Sequence, residues 1–135
     1  MKPKKKREYF SFGLISLVVV VVDWYCQYYF RGLDRGVPNT GISFGLGRDW
    51  GRFWPVVILI ALLVLVSYFL MKRKGKTSMF YLVLFVGGIG NLMPRILYGS
   101  VWDYINVPVV GLWINLSDIL ISTTLVSYIL TADES

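Results

Sequence analysis

"FWPVVILIALLVLVSYFLM", residues 53–71, decides the fold. It is nineteen residues without a charge. A helix of that length spans about 28 Å, close to the ~30 Å of hydrocarbon in a bilayer. Working outward, three further apolar segments appear. They cover about 10–30, interrupted by Asp23; about 78–97, carrying Arg95 near its end; and about 109–131, interrupted by Asp118. Hydrophobic residues make up 56% of the 135, and the mean hydropathy is +0.59. The expected fold is a single integral membrane domain, mainly α, a four-transmembrane-helix bundle. Its spans are 10–30, 53–71, 78–97 and 109–131, joined by outer loops 31–52 and 99–108 and an inner loop 72–77.

Composition excludes several chemistries. With no His there is no Ser–His–Asp triad, no Cys–His pair and no His-ligated zinc. One cysteine, Cys26, excludes an internal disulfide and a Cys-cluster metal site, and it reads as a small buried hydrophobe. No metal or cofactor is expected. The net charge of +6 sits in two clusters that flank apolar runs, Lys2–Arg7 and Lys72–Lys76. That is the pattern of positive-inside loops and of contact with anionic membrane lipids, and nucleic acid is not an expected partner. Both termini and the 72–77 loop are therefore expected in the cytoplasm. The first segment lacks a small-residue cleavage site, and "VVDWYCQYYF" is bulky, so it reads as a retained helix. Trp24, Trp50, Trp54, Trp102 and Trp113 all fall near outer ends, as an interfacial anchoring belt does. In the outer loop, "NTGISFG" reads as a short extended piece and "LGRDWGRFW" as a segment lying in the interface.

The polar residues inside the spans carry the function, because ionisable groups there are costly. Gly111, Asn115, Asp118 and Ser122 are spaced to share one helical face. Gly87, Asn91 and Arg95 form a second stripe, and Asp23 with Gln27 a third. Lipid cannot satisfy such groups, so the stripes are expected to face one another. Asp23, Asp103 and Asp118 then gather near the outer interface. Two readings stand on the residues alone. Polar stripes can be interhelical glue. Alternatively, two close carboxylates share a proton, one activating water and the other protonating a scissile carbonyl, which needs no His, Cys or metal. A small proton-coupled carrier using the three acids ranks last, since the second segment offers no polar path.

At "GGIGNLMPRILYGSVWDYI" (87–105) and "INLSDILI" (114–121) the chain resembles the lipoprotein signal peptidases, the signal peptidase II family. Gly87, Gly88, Gly90, Asn91, Arg95, Gly99, Val101 and Asp103 match the first block; Asn115, Asp118 and Ile121 match the second. Asn39, Gly41 and Phe44 match an N-x-G-x-A-F stretch, and Asp23 the first-helix acid. The resemblance implies an aspartic endopeptidase that removes signal peptides from prolipoproteins just before the diacylglyceryl-modified cysteine of a lipobox. It maps the catalytic pair onto Asp103 and Asp118. Supporting residues map onto Asn39, Asn91, Arg95, Asn115 and Asp23. It also implies a small extracytoplasmic β-cradle, a short interfacial helix, inhibition by globomycin, a monomer, and the bacterial cytoplasmic (inner) membrane with the site near its outer face. The chain departs from the family where Pro94 replaces an Asp and Gln27 a Lys; Ser43, Tyr104, Ile114 and Ser117 are mild changes. Pro94 removes an acid beside Arg95 and a backbone donor, and is expected to kink or end the third helix. Arg95 is then expected to pair with Asp23 or Asp103. The alternative reading is a catalytically impaired homologue that binds lipopeptides without cutting them.

Overall fold

The computed structural model of the chain describes residues 3–41, 53–71 and 76–132. Four helices account for most of them: α1 (Pro3–Gly32), α2 (Trp54–Met71), α3 (Lys76–Tyr98) and α4 (Leu116–Ala132). Two stretches, Phe10–Gly32 of 23 residues and Ser78–Tyr98 of 21, are long and apolar enough to cross a membrane; Trp54–Tyr68 and Leu116–Thr131 are shorter apolar helices. α3 is the centre of the bundle, packed against α1, α2 and α4. The interfacial segment expected within 42–52, with Ser43, Phe44 and Trp50, lies outside the described residues, as does most of the inner loop.

The bundle is inside-out relative to a soluble protein. On α1 the buried positions are Ser16, Val20, Asp23 and Gln27, one line at helical spacing. Its exposed positions are mostly apolar, among them Phe10, Leu17, Val18 and Val21. The same holds at the site: Asp23 and Ser117 are 0% exposed and Asn115 1%. In hydrocarbon the polar groups have only each other, so they collect inside while the aliphatic faces meet lipid.

Between the helices the backbone forms two small antiparallel sheets. β1 (Val37–Asn39) pairs with β2 (Val101–Asp103), Val37 opposite Asp103 and Asn39 opposite Val101. β3 (Ile105–Val107) pairs with β4 (Leu112–Ile114). Gly99 makes the first of these possible. It follows the last residue of α3 with φ 75°, and its N–H caps the Arg95 carbonyl at 3.0 Å. That left-handed step ends the helix and sends the chain into β2.

Two expectations need correcting. The fourth segment, read as a helix over 109–131, is helical only from Leu116. Pro108 and Gly111 (φ 65°) hold a turn, and the β-branched and aromatic residues around them make a hairpin instead. Gly111 is therefore not on the helix, and Ser122 is exposed; the buried line of α4 runs through Ser117 and Thr124. Secondly, Pro94 does not end α3, which continues to Tyr98. A proline at 94 leaves the Gly90 carbonyl without its helical donor. The indole N–H of Trp24, on α1, donates to that carbonyl at 2.9 Å. One helix thus supplies the hydrogen bond that the other lacks.

Candidate active site

The site forms where β2, α3 and the start of α4 meet. Asp103 ends β2, and Asp118 lies in the first turn of α4. Asn115 connects them. It is the N-cap of α4: its Oδ1 accepts the Asp118 N–H at 2.9 Å, while its Nδ2 donates to Asp103 Oδ1 at 2.7 Å. One amide therefore sets the position of both acids. The signal was present in "NLSD", a cap residue followed three positions later by an acid.

Each carboxylate has a further amide partner. Asn39 Nδ2 donates to Asp103 Oδ2 at 2.9 Å, a diagonal contact across the β1–β2 pair. Asn91 Nδ2 donates to Asp118 Oδ1 at 2.8 Å. Asp103 is only 2% exposed. Burial, and then the negative charge of Asp118, push its pKa up to about 6; the amides of Asn115 and Asn39 and the Arg95 cation pull the other way. The charge of Asp118 thus disfavours ionisation of Asp103.

Arg95 is buried at 5% exposure, but it does not pair with Asp23 or Asp103 as expected. Among the described residues no carboxylate lies within ion-pairing distance of it. Its Nη1 donates to the Asn91 carbonyl at 2.8 Å and its Nη2 to the Gly41 carbonyl. Gly41 in turn donates its N–H to Asn39 Oδ1 at 3.1 Å. Arg95 therefore ties α3 to the turn that follows β1, with its charge left to act on both acids through space. Arg95 Nε and Asn91 Oδ1 are buried without a partner among the described residues.

Asp23 is held by a set of donors that it shares with neither member of the pair. Its Oδ2 accepts from Gln27 Nε2 (2.9 Å) and Ser117 Oγ (2.6 Å); its Oδ1 accepts from the Tyr104 hydroxyl (2.7 Å) and the Leu116 N–H (3.0 Å). Gln27 Oε1 also accepts the Trp102 N–H at 3.2 Å. Four donors satisfy this carboxylate, and they come from α1, the residue after β2, and the start of α4. Burial and the Asp23 carboxylate push the Tyr104 pKa up, so the phenol keeps its proton and goes on donating. Tyr104 and Ser117 look like mild changes in the sequence, yet both side chains donate to Asp23. The i, i+4 spacing of Asp23 and Gln27 was the one visible trace. Among the described residues no group of His, Cys, Asp and Glu is arranged to hold a metal.

The architecture has counterparts among solved structures. Two bacterial membrane enzymes, solved by the in meso method at 2.3 and 1.9 Å resolution, superpose with TM-scores of 0.79 and 0.72, each at 22% identity. The first match covers 92% of this chain and 88% of the other, and the second 90% and 92%. In sequence, the chain is 35% identical over 77 residues to a lipoprotein signal peptidase of Blochmanniella pennsylvanica (strain BPEN), covering 53% of this chain and 47% of that protein. It is 29% identical over 129 residues to that of Rickettsia africae (strain ESF-5), covering 78% and 64%. It is 33% identical over 98 residues to that of Anaplasma phagocytophilum (strain HZ), covering 67% and 62%. The chain thus spans about half to under two thirds of the length of these curated relatives. Residues 15–132 match the family described as signal peptidase (SPase) II, so the chain belongs to that family and is a bacterial membrane protein.

Proposed function

We propose that the chain is an aspartic endopeptidase that cleaves signal peptides from diacylglyceryl-modified prolipoproteins just before the lipobox cysteine. The observation that carries this reading is the bridging of Asp103 and Asp118 by Asn115, with the Asp103 pKa raised to about 6. In the working state one carboxylate is ionised and the other protonated. The ionised one takes a proton from water, whose oxygen attacks the scissile carbonyl carbon. The protonated one gives its proton to the carbonyl oxygen. Collapse of the tetrahedral diol breaks the C–N bond, and the leaving amine takes a proton from the dyad. Asn91 and Arg95, buried beside the acids, orient the dyad, and the substrate backbone runs extended past the two carboxylates. The two small sheets serve as the cradle that aligns it.

In the same reading the chain crosses the bacterial inner membrane four times. Both termini are cytoplasmic and the acids lie near the outer face. It acts as a monomer, and the substrate's acyl chains stay in the bilayer. Globomycin occupies the site as an inhibitor. A lipopeptide-binding homologue without activity is the alternative that Pro94 favours; the Trp24 bond to the Gly90 carbonyl replaces the backbone donor that Pro94 removes from α3.

The test is cleavage of a diacylglyceryl lipobox peptide by the purified chain. Asp103→Asn and Asp118→Asn are each expected to lower kcat by about 10²–10⁴-fold while leaving the melting temperature within a few degrees. Full activity in either variant sinks the dyad. Globomycin binding with no cleavage at any pH would establish the non-cleaving homologue instead.

A further inference from the structure

The proposed chemistry leaves a groove between α1 and α3 unused. It holds a cavity of about 130 Å³, lined by Trp24, Tyr28 and Arg31 from α1 and by Met93, Leu97 and Tyr98 from α3. Arg31 is the only cation among the described residues that line it. The guanidinium lies 4.4 Å from the Tyr98 ring centroid and 5.3 Å from that of Trp102. Its Nη2 donates to the Ser100 carbonyl at 3.0 Å, and its Nε, itself buried, has no partner among the described residues. No carboxylate lies within ion-pairing distance among the described residues. A fixed positive charge at the mouth of an apolar groove suits a ligand that is anionic at one end and apolar along its length.

Depth along the helices orders these groups. Arg31 and Tyr98 stand at the helix ends. Trp24 lies seven residues deeper on α1 and Met93 five residues deeper on α3, about 10 and 7.5 Å along the axes. Tyr28 and Leu97, 70% and 66% exposed, form the lips, so the groove opens sideways along apolar helix faces. The sequence of charge, aromatic rim and apolar channel is that of phosphate, glycerol and acyl chain. The deep wall is fixed, since the Trp24 indole is held on the Gly90 carbonyl that Pro94 leaves free.

We propose that this groove binds one anionic phospholipid, with its phosphate on Arg31 and an acyl chain laid over Leu97 and Met93. Through Arg31 and Ser100 the lipid braces the start of β2, the strand that ends in Asp103. The proposal rests on the chain's place in a membrane, not on proteolysis, so loss of cleavage does not touch it.

The experiment is native mass spectrometry of the purified full chain with added phosphatidylglycerol or phosphatidylcholine. The unmodified chain is expected to keep one phosphatidylglycerol about fivefold or more in preference to phosphatidylcholine. Arg31→Gln is expected to erase the preference and Arg31→Lys to keep it. Leu97→Trp, which fills the groove, is expected to lower retention of both lipids. Equal retention of the two lipids by the unmodified chain overturns the proposal whether or not any variant folds. So does an unchanged preference in an Arg31→Gln protein that melts normally. Displacement of phosphatidylglycerol, one for one, by a diacylglyceryl lipobox peptide would assign the groove to substrate and overturn it as well.

Discussion

At the scale of single residues, Asp103 and Asn115 carry the sharpest consequences. In the proposed mechanism an ionised carboxylate coexists with a protonated one, and the Asp103 pKa is raised to about 6. As pH rises through that value the shared proton is lost. kcat/KM is therefore expected to fall on a basic limb centred near pH 6, measured with free enzyme in micelles. The Asn39 hydrogen bond favours the ionised form of Asp103, so Asn39→Ala is expected to move that limb about half to one pH unit higher. A limb that moves lower would contradict the assignment. Asn115 has two jobs that a pair of variants separates. Asn115→Ser keeps a good N-cap on α4 but loses the amide to Asp103, so stability is expected to hold while kcat drops by about tenfold or more. Asn115→Ala loses both, and is expected to cost about 1 kcal/mol of stability besides. An unchanged kcat in the serine variant would reduce Asn115 to a cap alone.

Among the elements, the α1–α3 contact shows how a helix tolerates a proline. Gly90 also lets α4 approach α3, since a Cβ there would run into the side chain of Ser117 and lie 3.2 Å from Val20. The same residue's carbonyl is the one that Trp24 serves. Trp24→Phe leaves that part-buried carbonyl unpaired and is expected to cost about 1–3 kcal/mol. Pro94→Ala restores a helical N–H to the Gly90 carbonyl, so Trp24→Phe in that background is expected to cost distinctly less. Denaturation of the four proteins in detergent reads the coupling directly. Equal costs in both backgrounds would mean that Trp24 acts through packing and not through the bond. Pro94 alone read as a helix breaker because a single chain segment shows the missing donor and not the neighbour that replaces it.

For the molecule as a whole, Asp23 is where α1, the chain after β2 and α4 are joined. Asp23→Val strands four donors and is expected to destabilise the bundle by about 3 kcal/mol or more, with faster amide exchange at the start of α4. Asp23→Asn retains acceptors for some of those donors and is expected to cost much less. A silent Asp23→Val would remove the acid from any role in assembly. By itself the sequence determined the apolar segments and the inward turn of Asp23 with Gln27 and of Asn91 with Arg95, while the choice of Asp103 and Asp118 as the pair rested on the resemblance of their motifs to a family. The segments and the inward-facing residues follow from hydropathy, helical period and the cost of polar groups in lipid, which are properties of local sequence. Only the tertiary structure decided that residues 105–114 fold as a hairpin, that Arg95 binds backbone carbonyls, that Trp24 repairs the break at Pro94, and that Asn115 holds both acids. Each of these joins residues from 12 to 66 positions apart or depends on what packs alongside, and hydrogen-bond satisfaction across such separations is set by the assembled bundle.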